Sequence, residues 1–148
     1  MTNPTCHESL PRQIYLTSLQ LQIHADKGLQ PFGITLEQLR PLKLLSEAGG
    51  AVGQRQLSEM ANKTPANMTR ILDRLAAKGL VERQPDPEDR RAFTVVLTTD
   101  GKDMVSKAES LFSAYLQQVL TGISEQEEKV CRTVLDTIMM NLAGLEKE

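Results

Sequence analysis

Asn67, Arg70, Arg74 and Lys78 recur at three- or four-residue spacing in the middle of the chain. On a helix that spacing puts them on one face, opposite Met68, Ile71, Leu72 and Leu75. Such a face can read nucleic acid. Arginine donates two parallel hydrogen bonds to guanine, asparagine exchanges a pair with adenine, and a helix N-terminus attracts phosphate. Thr64, Ala66 and Thr69 fall toward the N-terminal end, where a hydroxyl can reach phosphate and a methyl can meet thymine. Taken alone, the face reads equally well as a solvated surface laced with ion pairs, for example between Arg70 and Asp73.

A second basic group changes that balance. Residues 85–101 read Pro-Asp-Pro-Glu-Asp-Arg-Arg-Ala-Phe-Thr-Val-Val-Leu-Thr-Thr-Asp-Gly. The charged turn carries Arg90 and Arg91, and an alternating strand follows, with Phe93, Val95 and Leu97 on one face. A narrow minor groove concentrates negative potential and attracts an inserted arginine. Asp89 is assigned to fix the orientation of Arg91, since an acid at such a tip otherwise repels phosphate. The plain alternative is a hairpin with solubilising charge. The adjacent basic helix weighs against it.

These groups need elements to hold them. A first helix is predicted over 9–27, with Ser9 as cap, Pro11 in the first turn, and apolar residues Ile14 to Ile23 covering more than one face. A second starts at Thr35, where Thr35-Leu36-Glu37-Gln38 matches a capping box, kinks at Pro41 and ends at Gly49-Gly50. A third covers 54–61, with Leu57, Met60 and Ala61 inward. A fourth runs from Thr64 as cap and Pro65 to Lys78, closed by Gly79. A strand over 80–84, a turn over 85–91 and a strand over 92–97 make a hairpin. A fifth helix starts at Thr98 or Thr99 and reaches about Thr121, with Met104, Ala108, Leu111, Phe112, Tyr115 and Val119 as its stripe. A sixth opens at the capping box Ser124–Glu127 and ends at Gly144. The fold class is mainly α with a small β-wing: a winged helix-turn-helix over 35–98 within a single 148-residue domain. The helices over 9–27 and 99–145 are too apolar to be covered by the winged module. They are expected to serve as dimerisation helices of a homodimer.

Composition sets outer limits. Apolar residues make up 40%, enough for a core, while aromatics are 3% and Trp is absent, so the core must be aliphatic. Net charge is −2, but residues 54–91 hold eight of the seventeen basic residues against six acids. A basic middle on an acidic frame gives an oriented field. No stretch approaches the ~20 apolar residues a bilayer requires, and the N-terminus lacks the pattern of a signal peptide, so a cytoplasmic protein is expected. There is no glycine-rich phosphate loop and no nucleophile elbow, so neither enzyme nor catalytic residue is expected. With two histidines, two cysteines and no ligand spacing, neither metal nor cofactor is expected.

The stretch Ala61-Asn62-Lys63-Thr64-Pro65-Ala66-Asn67-Met68-Thr69-Arg70, continuing to Lys78-Gly79-Leu80-Val81-Glu82-Arg83, resembles the winged helix of the MarR family of bacterial transcriptional regulators. The wing, Asp89-Arg90-Arg91 through Leu97-Thr98-Thr99-Asp100-Gly101, resembles that family's Asp-x-Arg signature and the Leu-Thr-x-x-Gly start of its next helix. The order of elements matches over nearly the whole chain. The resemblance implies a symmetric dimer on a pseudo-palindromic operator, with the fourth helix in the major groove and Arg91 in the flanking minor groove. It implies a repressor released by a small ligand or an oxidant. It implies an effector pocket between the first, second and fifth helices, near which Tyr15, His24 and Phe32 are the groups with ligand chemistry.

One branch of the family senses peroxides through a cysteine near the start of the first helix. Cys6 lies near that region beside His7, short of the expected place, and an inert terminus is the competing assignment. Cys131 is expected to be a small core residue. Two alternatives to a ligand-released regulator therefore stay open: a winged-helix protein–protein adaptor, and a regulator with a redox-sensing cysteine.

Overall fold

The computed structural model describes residues 9–146, so Cys6 and His7 lie outside the described residues. The chain divides within one long helix into two compact units, one up to Leu111 and the other from Phe112.

In the first unit, α1 spans Leu10–Leu29, with Ser9 in the N-cap place and a proline in the first turn. A 3-10 turn, Gln30–Phe32, leads through Gly33 to α2, Leu36–Glu47. The capping box is formed: the Thr35 hydroxyl oxygen accepts from the Gln38 amide, and the Gln38 side chain accepts from the Thr35 amide. The helix runs through Pro41, which is buried in its middle. Gly49 and Gly50 both take positive φ, 92° and 102°, and turn the chain into a short strand, β1, Ala51–Gly53. The sequence offered no alternation there, because three residues are too few to display it.

The helix-turn-helix follows as α3, Gln54–Met60, and α4, Pro65–Ala77. Thr64 caps α4 by accepting from the Asn67 amide at 3.2 Å. Met68, Ile71, Leu72 and Leu75 are all buried, as their spacing predicts. In α3 the inward set is Leu57, Ser58 and Ala61, whereas Met60 is exposed. Ser58 takes the inner position because its hydroxyl donates to Gln54 O at 3.1 Å, which satisfies it without water.

Gly79, at φ 72°, ends α4 and starts β2, Val81–Pro85. The wing turn leads to β3, Phe93–Leu97. The sheet order is β1-β3-β2, antiparallel throughout, with Val52 opposite Val95 and Val81 opposite Leu97. Val95 and Leu97 are buried, while Phe93, at the wing end, is exposed.

The last helix of this unit, α5, spans Thr99–Val119 and continues into the second. Thr98 starts it: its hydroxyl oxygen accepts from the Gly101 amide at 3.0 Å, and its hydroxyl donates to Gly79 O at 2.7 Å. A Cβ on Gly101 would lie 2.2 Å from Leu80 O and 2.6 Å from Leu97 Cδ1. The Leu-Thr-x-x-Gly sequence thus locks the start of β2, the end of β3 and the first turn of α5 together. Val105 and Ala108 are the buried apolar side chains of α5, and Met104 is only half-buried.

The second unit holds the end of α5 and α6, Glu125–Leu145. Its capping box is formed by Ser124 and Glu127, at 2.9 and 3.1 Å. The helix continues past Gly144 rather than ending there. Cys131 is exposed, not a core residue. Phe112 and Tyr115 meet edge to face, with ring centroids 6.0 Å apart.

Candidate nucleic-acid interface

The core of the first unit determines which side chains of α4 remain outside. With Met68, Ile71, Leu72 and Leu75 buried, Ala66, Thr69, Arg70 and Arg74 are exposed on the other side, and Asn67 is half-buried beside them. The face therefore exists as a surface of one rigid helix pinned by aliphatic packing. Its N-terminal turn is preorganised, since Thr64 and Pro65 fix the cap and the first φ.

Several groups on this face are already engaged. Arg70 Nη2 donates to Asn67 Oδ1 at 2.6 Å and stands 3.6 Å from Glu37 Oε1 on α2. Lys63, in the turn between α3 and α4, stands 3.5 Å from the same Glu37 oxygen. The expected partner of Arg70, Asp73, instead pairs with Arg83 on β2. Thr69 donates to Pro65 O at 2.9 Å and accepts from Gln54 Nε2 at 3.2 Å, which ties α3 to α4. Lys78 is not a free cation of the face: its ammonium donates to Gly33 O and, at 3.1 Å, to Gln38 Oε1, bracing the end of α4 against the start of α2.

At the wing, Arg90 and Arg91 are exposed. Asp89 Oδ1 accepts from the Arg91 amide at 2.9 Å, and Asp86 Oδ1 accepts from the Glu88 amide at 2.9 Å. Asp89 therefore orients the backbone of Arg91, leaving the guanidinium outside. Two such turns stiffen a tip that otherwise has only the Asp86–Ala92 and Ala92–Asp89 backbone bonds. A cleft of about 720 Å³ lies between α3 and this tip, lined among others by Gln54, Glu59, Pro65 and Arg91.

A second opening, of about 520 Å³, lies between α1 and α2, lined by Ile23, Asp26, Gln30, Ile34, Gln38 and Lys78 among others. Tyr15, His24 and Phe32 are not among its lining residues, and Tyr15 and His24 are exposed on α1. Among the described residues no group of three His, Cys, Asp or Glu side chains converges on a metal-sized position. None of their helices is long and apolar enough to cross a membrane.

Glu37 and Lys63 escaped the sequence reading. Glu37 precedes Arg70 by more than thirty positions, so no local spacing signals their meeting. The capping box did place Glu37 in the first turn of α2, which is the one trace it leaves.

Comparison with known proteins places this geometry in context. Residues 34–93 match the profile of the MarR family. The multiple antibiotic resistance protein MarR of Escherichia coli strain K12 is 30% identical over 122 residues, covering 81% of this chain and 84% of that protein. A crystal structure of a mutant MarR from E. coli complexed with operator DNA superposes with a TM-score of 0.81 at 27% identity, over 87% of this chain and 92% of that one. A MepR–DNA complex from S. aureus gives 0.80 at 25% identity, over 93% and 99%.

Proposed function

The chain belongs to the MarR family of transcriptional regulators, and from that premise we propose that it is a sequence-specific DNA-binding repressor acting as a cytoplasmic homodimer on a pseudo-palindromic operator. The observation that carries the reading is the pairing of two exposed basic groups on rigid supports: the outer face of α4 and the Arg90–Arg91 tip of the wing. Complexes of structurally similar proteins with DNA, the mutant MarR of E. coli and MepR of S. aureus, support it.

In this mechanism α4 enters a major groove. Arg70, Arg74 and Asn67 face base edges, while Thr64, Ala66 and Thr69 pack at phosphate and methyl groups near its N-terminus. The wing carries Arg91 into the flanking minor groove, with Arg90 on the backbone. Asp89 holds the Arg91 amide, so the tip loses little freedom on binding.

A second copy of the chain supplies the symmetry. On α1, Leu10, Tyr15 and Leu16 are exposed, and on α6 so are Met139, Met140 and Leu145. Apolar side chains in such numbers on two terminal helices fit an interface between copies. Release comes from a small-molecule effector. The opening between α1 and α2 suits that role, because Lys78 reaches it from α4 and couples its contents to the recognition helix.

Selection of duplexes from a random-sequence pool on the purified protein tests the reading. An enriched, two-fold symmetric site is expected, and Arg70→Ala and Arg91→Ala should each weaken binding to it by at least tenfold while leaving the melting temperature unchanged. A pool without enrichment, or two variants that bind like wild type, refutes the assignment.

A further inference from the structure

Building on the DNA-binding reading, we infer that Glu37 is a specificity-positioning residue, a carboxylate rooted outside the recognition helix that holds Lys63 and Arg70 and competes with phosphate for them. The supporting geometry is a four-residue network. Glu37 Oε1 stands 3.5 Å from Lys63 Nζ and 3.6 Å from Arg70 Nη2, and Arg70 Nη2 donates to Asn67 Oδ1 at 2.6 Å. Three groups of the turn and the outer face are thereby tied to one anion on a different element.

That anion cannot follow its partners into a groove. Glu37 lies in the first turn of α2, where the helix N-terminus favours a negative charge. The capping box and the buried Leu39, Leu42 and Leu45 hold that turn in place. Glu37 is also only about one-third exposed, as is Lys63, so neither charge is fully screened by water.

The distances decide the kind of effect. At 3.5–3.6 Å the contacts are charge pairs without a close bidentate hydrogen bond, so they can be exchanged. A random duplex offers Lys63 and Arg70 only phosphate. It gains one charge contact and loses another, for little net return. A matched site offers a base edge to the other N–H groups of the guanidinium, so Arg70 Nη2 keeps its contact with Glu37 there and the charge pair is not given up. The carboxylate therefore subtracts mainly from non-specific binding. It also presets Arg70 and Asn67 in one arrangement, so the correct site meets side chains already ordered.

Glu37→Gln keeps the side-chain shape and removes the charge. The wild type and the variant are compared by fluorescence anisotropy on the tightest duplex selected by the wild type and on its scrambled counterpart, across a salt series. The scrambled duplex should bind the variant about fivefold more tightly, the scale of one partly exposed ion pair. Its plot of log affinity against log salt should steepen by about 0.9 for each phosphate newly engaged. Affinity for the selected duplex should change less than twofold, so the specificity ratio falls. In an Arg70→Ala, Lys63→Ala background the Glu37→Gln effect should vanish, which a loss of α2 stability alone would not produce. Unchanged scrambled-duplex affinity and salt slope in Glu37→Gln overturn the inference while leaving the DNA-binding reading intact. A wild type that binds no duplex overturns both.

Discussion

Gly101→Ala exchanges the residue with the lowest interior helix propensity after proline for the one with the highest, and it should nevertheless destabilise the protein. Gly101 lies in the first turn of α5 without a positive φ, so propensity alone predicts a gain of up to ~1 kcal/mol. Its surroundings oppose this. The added Cβ would lie 2.2 Å from Leu80 O and 2.6 Å from Leu97 Cδ1. A carbon and an oxygen do not approach so closely, so the backbone must shift by about an ångström. That carbonyl is held by the Thr98 amide at 3.2 Å, and Leu80 and Leu97 are both buried. Overpacking against a buried backbone costs about 1–3 kcal/mol or more. The net expectation is a loss of about 1–2 kcal/mol, or about 2–8 °C in Tm for a chain of this size. Gly144→Ala is the matching control. It is also helical but exposed and next to the last residue of α6, and an added Cβ meets nothing within 4 Å, so its stability should stay within about 0.5 kcal/mol of wild type. Urea unfolding at fixed protein concentration, followed by circular dichroism, reads both variants. A Gly101→Ala protein as stable as wild type would refute the claim that this glycine exists for close packing.

Other outcomes follow from the same structure. Leu72→Ala, which empties a fully buried position behind the face of α4, should cost about 2–5 kcal/mol in the same unfolding assay. Arg90→Ala should reduce the salt slope of duplex binding by about 0.9 per subunit, because its guanidinium is assigned to a backbone phosphate, as measured by anisotropy over a salt series. The Glu127 carboxyl lies below the usual glutamate value, chiefly because the Ser124 amide donates to it and secondly through the Ser124 hydroxyl. Its contribution to α6 is therefore fully present above the ordinary glutamate pKa and is lost as pH falls through the lower folded value. A carboxyl NMR titration should find Glu127 shifted down, and Ser124→Ala should move it back toward the ordinary value.

Much of this arrangement was legible in the sequence because its signals are local. The inward set of α4 follows from helical spacing, and the two capping boxes follow from Thr35–Gln38 and Ser124–Glu127. The wing follows from one charged turn and the alternating strand behind it. The misses are of two kinds. β1 and the Met60/Ser58 exchange depend on what a short segment packs against, which periodicity does not record. The engagements of Arg70 with Glu37 and of Lys78 with Gly33 and Gln38 join residues far apart in the chain, and only the folded α2–α4 contact brings them together. Lys78 shows the consequence: spacing assigns it to the outer face, yet its flexible stem carries the ammonium round to carbonyl acceptors at the base of α2.

The most direct test of the central claim is anisotropy of the wild-type protein on its selected duplex, challenged with scrambled duplex, at two salt concentrations. The account predicts binding that survives excess scrambled competitor and weakens steeply as salt rises, because several phosphates are neutralised at once. Binding abolished equally by any duplex would contradict it and leave the basic face of α4 to a different partner.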